Sequence, residues 1–234
     1  MSNYFCTNNG RDCGCPPPCP QPPCPQPSCP QPPTPPRCPC SENFRRILDL
    51  ICCPRLQPLV DFSAFAFVTN YYVLGSGVTA PAVTTAPGDN LVELTASYVC
   101  GSDSCEALTV SGLLFPPEDG ATALEATVTQ AALCRLNAVV FAAAETADAT
   151  AAANFQTISQ TLSQILRPQK PQDCSNLADA LTNAAAIRAS TVTSGPLIVQ
   201  NSTILGQSGN ILVMANSTDN RFYLICADKI DYMG

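Results

Sequence analysis

The sequence predicts an α+β domain behind an extended polyproline II arm, and three observations carry that prediction. Composition is the first: ten of the 15 cysteines fall in residues 1–53 and 14 of the 23 prolines in residues 16–39. Apolar, β-branched and aromatic runs at both ends of the remaining chain are the second, since such runs bounded by turn formers read as strands. Apolar residues spaced by three and four between those runs are the third, a helical period. The expected domains are a disordered Cys/Pro-rich arm over 1–40, a short amphipathic helix and connector over 41–59, and an α+β domain over 60–234.

The arm follows from proline chemistry. "CPQPPCPQPSCPQPP" (residues 19–33) repeats a Cys-Pro-Gln-Pro-x unit three times. Proline fixes φ near −65°, lacks an amide donor and pushes its predecessor to extended geometry, which excludes helix and central strand. Polyproline II remains, and at about 3.1 Å per residue the stretch 15–40 spans up to roughly 80 Å. Next, "SENFRRILDLICCPRL" reads as a helix capped by Ser41, with Phe44, Ile47, Leu48 and Ile51 on one face and Pro54 as its stop. "VDFSAFAFVTNYYVLG" reads as a buried strand ending at the Gly75–Gly77 turn. "LVELTASYVC" alternates as a strand with Val92, Leu94, Ala96 and Tyr98 on one face, and "CEALTVSGLLF" returns as its partner after "GSDS".

Over 121–166 the period becomes helical. Leu124, Val128, Ala132, Leu136 and Val140 form one stripe, and Phe155, Ile158, Leu162 and Ile165 a second, closed by "RPQKP". A third helix is expected over 175–189, with Leu177, Leu181 and Ile187 as anchors and Ser175 as cap. The last runs, "GPLIVQNSTILG", "NILVMANST" and "RFYLICADKIDYM", predict an antiparallel meander.

Function classes are narrowed by what the chain lacks. Eleven Lys and Arg against 18 Asp and Glu give a net charge of −7, which disfavours nucleic acid and anionic membrane surfaces as partners. With no histidine there is no Ser-His-Asp or Cys-His dyad. Cys134, with Arg135 beside it, is the best candidate for an activated thiol, but in an alanine-rich helix a cysteine reads as a small core residue. No phosphate-binding glycine motif occurs, so no enzyme and no cofactor are expected. The start of the chain carries no secretory pattern, and Asn201 and Asn216, both in N-S-T triplets, read as turn residues.

The cysteines then decide. Metal binding is an alternative reading, concentrated at Cys13-x-Cys15 and Cys38-x-Cys40, but no metal residue is assigned because prolines keep the rod from wrapping an ion. Docking of "PPTPPR" to a proline-reading domain is another. Neighbouring repeat cysteines on the rod lie about 15 Å apart, whereas a disulfide needs Cα atoms within about 6 Å. Cys6, Cys13, Cys15, Cys19, Cys24, Cys29, Cys38, Cys40, Cys52 and Cys53 are therefore expected to cross-link to other molecules. Cys100 and Cys105 flank a turn and are expected to close a local disulfide, while Cys174 and Cys226 either pair or stay free.

A polar start, "CGCPPPCPQPPCPQPSCPQPP" and an Ala/Thr-rich acidic remainder together resemble the cysteine-rich proteins of bacterial endospore coat and exosporium. That resemblance implies synthesis in the mother-cell cytoplasm, self-assembly at the spore surface with itself and other cysteine-rich proteins, and disulfide cross-linking as the shell matures. A homo-oligomer is the expected state. The arm also resembles the proline- and cysteine-repeat proteins of cornified envelope and hair keratin matrix.

Overall fold

Four strands that are apolar on both faces organise the molecule. The computed structural model describes residues 38, 40–79, 88–102, 106–116, 122–124, 126–166 and 191–234. The arm and the expected helix over 175–189 lie outside the described residues. Its compact unit runs from Cys38 to Gly234.

In chain order the described elements are α1 (Ser41–Ile51), β1 (Val60–Val68), β2 (Val73–Leu74), β3 (Ser97–Tyr98), β4 (Ala107–Phe115), β5 (Thr127–Ala132), β6 (Ala138–Ala143), α2 (Ala151–Ile165), β7 (Thr191–Ser194), β8 (Leu197–Gln200), β9 (Thr203–Ser208), β10 (Ile211–Asn216), β11 (Arg221–Cys226) and β12 (Tyr232–Met233). A nine-stranded antiparallel sheet takes the order β3-β4-β2-β1-β6-β11-β10-β9, with β5 paired to β4 off that path. β12, β7 and β8 form a second, three-stranded sheet.

Alternation along the central strands builds three layers. Phe65 and Phe67 of β1, Val139 and Phe141 of β6, Phe222 and Leu224 of β11, and Val213 of β10 share one core with Phe44, Ile47, Leu48 and Ile51 of α1 and Phe155, Ile158 and Leu162 of α2. The intervening residues Ala66, Val68, Val140, Tyr223, Ile225, Leu212 and Met214 share the opposite core with Val192, Leu197 and Val199 of the small sheet. Successive strand side chains point to opposite faces, so strands covered on both sides must read as unbroken apolar runs. Phe65, Phe141 and Phe222 sit at matched register, with centroids 5.6 and 5.0 Å apart, and Phe155 of α2 packs at a tilt 4.8 Å from Phe222. This aromatic row ties the helical layer to the sheet.

The expected α+β order is corrected here to a mostly β architecture with two helices among the described residues. The stripe Leu124, Val128, Ala132, Leu136, Val140 is not a helix; Val128 and Ala132 fall on β5, Val140 on β6, and Leu124 and Leu136 in the segments before β5 and after the 3-10 turn Leu133–Arg135. Steps of four satisfy a strand face as well as a helix face, because four is a multiple of two. What decides is the β-branched and aromatic "VVF" of β6, which fills both cores at once. The second stripe does form α2, with Thr150 Oγ1 accepting from the Ala153 amide as its N-cap, although Ile165 is 51% exposed and Leu166 takes the last buried place.

Smaller corrections follow the same logic. Ser41 does not cap α1; Cys40 holds the N-cap position, and the Ser41 hydroxyl donates to the Cys38 carbonyl at 2.9 Å. Of "LVELTASYVC" only Ser97–Tyr98 is strand, and Val92 is 59% exposed, because Leu91 and Ala96 are held by isolated bridges to Val78 and Phe65. The terminal meander holds for β9-β10-β11, while β8 pairs with β7 in the small sheet. Asn201, at φ 50°, turns the chain from one sheet to the other. Asn216 is buried, its Nδ2 donating to the Gln200 carbonyl and its Oδ1 accepting from the Thr218 amide.

Gly75 has φ +102°, and a Cβ there would collide with Ala96 and come within 2.7 Å of the Phe65 carbonyl. Gly75→Ala is therefore expected to cost about 2–3 kcal/mol in a urea unfolding midpoint, from left-handed backbone strain plus overpacking.

One ion pair stitches the two sheets together. Arg221 Nη1 sits 2.6 Å from Asp89 Oδ1, and the Asp89 side chain is 1% exposed. Asp89 also accepts from the Leu91 amide, and its backbone bridges Val199 of β8. Neighbouring Asn90 donates to the Pro196 carbonyl and accepts from the Ile198 amide. Burial raises the Asp89 pKa above the ordinary carboxylate value, outweighing the lowering by Arg221, by the Leu91 amide and by the nearby Tyr223 hydroxyl. Burial next to that carboxylate likewise pushes Tyr223 far above the usual phenol range.

Candidate functional site

The stretch Cys38–Cys53 concentrates the cysteine chemistry of the described residues. Cys40 continues the apolar stripe of α1, four residues before Phe44, and so faces the helix-side core. On β11 the residues facing that core are Phe222, Leu224 and Cys226. These two periodicities aim the two thiols at one another, and they form a disulfide with Cα atoms 5.7 Å apart, across 186 residues of sequence. Cys40 is 5% and Cys226 2% exposed.

Two further disulfides flank it. Cys38 joins Cys134 in the 3-10 turn before β6, with Cα atoms 5.2 Å apart. Cys52, just past the end of α1, joins Cys100, two residues beyond β3, at 5.7 Å. α1 is thus stapled to the sheet at both ends, at points 96, 186 and 48 residues away in sequence. Cys53 is the free thiol among the described residues and is half-buried.

These pairings revise several expectations. Cys38, Cys40 and Cys52, expected to reach other molecules, are held within the chain because α1 packs into the core and carries them to partners on the sheet. Cys100 pairs with Cys52 and not with Cys105, which lies outside the described residues with Cys174. Cys226 pairs with Cys40 rather than Cys174. Cys134 is a disulfide partner on a 3-10 turn, so it holds no thiol for nucleophilic work. Cys6, Cys13, Cys15, Cys19, Cys24 and Cys29 lie outside the described residues. The signal available in the sequence was the Cys40–Phe44–Ile47–Ile51 spacing, which marks Cys40 as a core position; Cys38 and Cys52 carry no such mark.

Metal ligation at Cys38-x-Cys40 is excluded while both sulfurs are in separate disulfides. Cys40, Cys226 and Asp228 bring ligand atoms within 4.8 Å of one another, but two of those atoms are the bonded sulfurs. Asp228 instead accepts from Asn210 Nδ2 at 3.1 Å. No helix among the described residues is long and apolar enough to cross a membrane.

The stapled unit coincides with a known protein family. The family model described as "Spore coat protein CotA-like" matches residues 38–234, beginning at the first disulfide cysteine and leaving out the repeat arm. Spore coat protein CotA of Clostridioides difficile (strain 630) is 24% identical over 254 residues, covering 84% of this chain and 83% of that protein. No solved structure matches the chain. With its whole folded unit matched, the chain belongs to the spore coat protein CotA-like family, which makes it a structural protein of the spore surface and not an enzyme.

Proposed function

We propose that the chain is a self-assembling coat subunit whose disulfides divide into two sets. One set is intrachain and closes the folded unit: Cys38–Cys134, Cys40–Cys226 and Cys52–Cys100. The other is intermolecular and belongs to Cys6, Cys13, Cys15, Cys19, Cys24 and Cys29 of the arm, with Cys53 as a further attachment point. The observation that carries this reading is the consumption of six described cysteines by partners inside the unit. It leaves the arm to supply links to neighbours, where the polyproline II spacing expected from its prolines would keep repeat thiols too far apart to pair with each other. Neighbours are further copies and other cysteine-rich coat proteins.

Electrophoresis of the oxidised full chain tests this. Without reductant a ladder of multimers is expected, collapsing to monomer with reductant. Serine at the six arm positions should remove most of the ladder while leaving the unfolding transition of the folded unit within about 0.5 kcal/mol of the parent. A clean monomer after full oxidation of the parent chain would sink the proposal.

A further inference from the structure

The β4–β5 hairpin is built unlike the rest of the sheet. β1, β6, β10 and β11 are covered on both faces, whereas on β5 Thr127, Thr129, Gln130 and Ala132 are exposed and Val128 and Ala131 only half-buried. Among the described residues β5 pairs with β4 and with no other strand. Every second residue of a strand turns its N–H and C=O away from its one neighbour, so β5 presents a row of backbone donors and acceptors outward.

Edges are ordinarily blunted by lysine, proline, an inward charge or a bulge. The sequence "TVTQAA" holds no charge and no proline, and the ladder irregularity of this pair puts its extra residue on β4, between Thr109 and Gly112. β9, at the far end of the sheet, differs. Its ladder with β10 is bulged, α2 lies against it, and Gly206 sits so close to Leu166 that a Cβ would not fit. Among the described residues one edge is guarded and the other is open.

We propose that β5 is a self-association edge, at which two copies of the chain pair antiparallel through their β5 strands into one continuous sheet. An antiparallel edge is its own complement about a two-fold axis, so a second copy supplies the matching pattern without any further partner. Charge selects the place as well. Two chains of net charge −7 repel, and an uncharged strand is where they can meet at least cost. Leu113, in register with Thr127 and 44% exposed, and Leu124, 40% exposed, add apolar surface to be covered beside the edge. The inference rests on the reading of the chain as self-assembling, but uses no thiol.

That independence sets the test. The full chain, mildly reduced to open intermolecular links and then capped at its freed thiols by iodoacetamide while the intrachain disulfides stay closed, is sedimented from about 1 to 500 µM, and amide hydrogen exchange is followed over the same range. A monomer–dimer equilibrium is expected, with β5 amides slowing as dimer forms. Gln130→Lys with Ala132→Lys, two exposed positions, should weaken dimerisation at least tenfold without changing exchange in β6 and β11. A capped chain that stays monomeric throughout, or a dimer whose β5 amides exchange freely or which ignores the lysines, overturns the proposal. A multimer ladder on uncapped gels with no capped dimer would retain the cross-linking arm and remove the edge. The reverse pattern would retain the edge alone.

Discussion

Arg221→Met is expected to destabilise the folded unit by about 3–5 kcal/mol at pH 7, the usual cost of leaving one member of a buried ion pair without its partner. Arg221 offers Asp89 its compensating positive charge at 2.6 Å, and the carboxylate cannot turn to water because its side chain is 1% exposed. The loss should be pH-dependent. Burial already raises the Asp89 pKa above its unfolded value, so the folded state takes up the proton first as pH falls. This group therefore lowers stability at neutral pH and ceases to do so as pH falls through its folded pKa toward 3.8. Removing Arg221 removes a lowering influence, raises that pKa further and widens the window. The penalty of Arg221→Met, read from urea unfolding, should thus shrink between pH 7 and pH 4. Asp89→Asn added to Arg221→Met should recover a large part of it. A penalty below about 1 kcal/mol, or one that grows in acid, would mean that the pair does not hold the two sheets together.

Loss of the Cys40–Cys226 cross-link is expected to be comparably severe. With Cys38–Cys134 intact, Cys40–Cys226 still closes a loop of roughly 90 residues, and the chain-entropy relation assigns such a loop about 4.6 kcal/mol. Cys40→Ala with Cys226→Ala should lower stability by that amount under oxidising conditions, whereas Cys53→Ser should stay within about 0.5 kcal/mol. Exposure also orders the bonds by access to reductant. Cys134 is exposed, Cys52 and Cys100 are half-buried, and Cys40 and Cys226 are buried, so Cys38–Cys134 should open first and Cys40–Cys226 last. Mass spectrometry of alkylated thiols during a reductant titration reads that order directly. Early loss of Cys40–Cys226 would show that α1 leaves the core before its staples break.

Both expectations concern the same design problem. A chain with a thiol-rich arm has to fold a β-rich body whose own cysteines do not exchange with that arm. Burying Cys40 and Cys226 in the helix-side core, beneath α1, places the central staple where a thiolate in solution cannot reach it without unfolding.

Local chemistry determined much of this in advance. Phe44, Ile47, Leu48 and Ile51 at helical spacing marked α1 correctly, as Phe155, Ile158 and Leu162 marked α2, because one helix face must meet an apolar layer. The composition of residues 1–53 pointed to the spore surface, where the family match also places the chain. Tertiary structure alone decided three things. Thr127–Ala132 and Ala138–Ala143 became strands because β6 is covered on both faces and steps of four fit either period. β8 left the meander because Asn201 turns the chain into a second sheet. The cysteine pairing was set by which residues share a face after folding, since Cys40 and Cys226 lie 186 residues apart and meet only when helix and strand pack their apolar sides together.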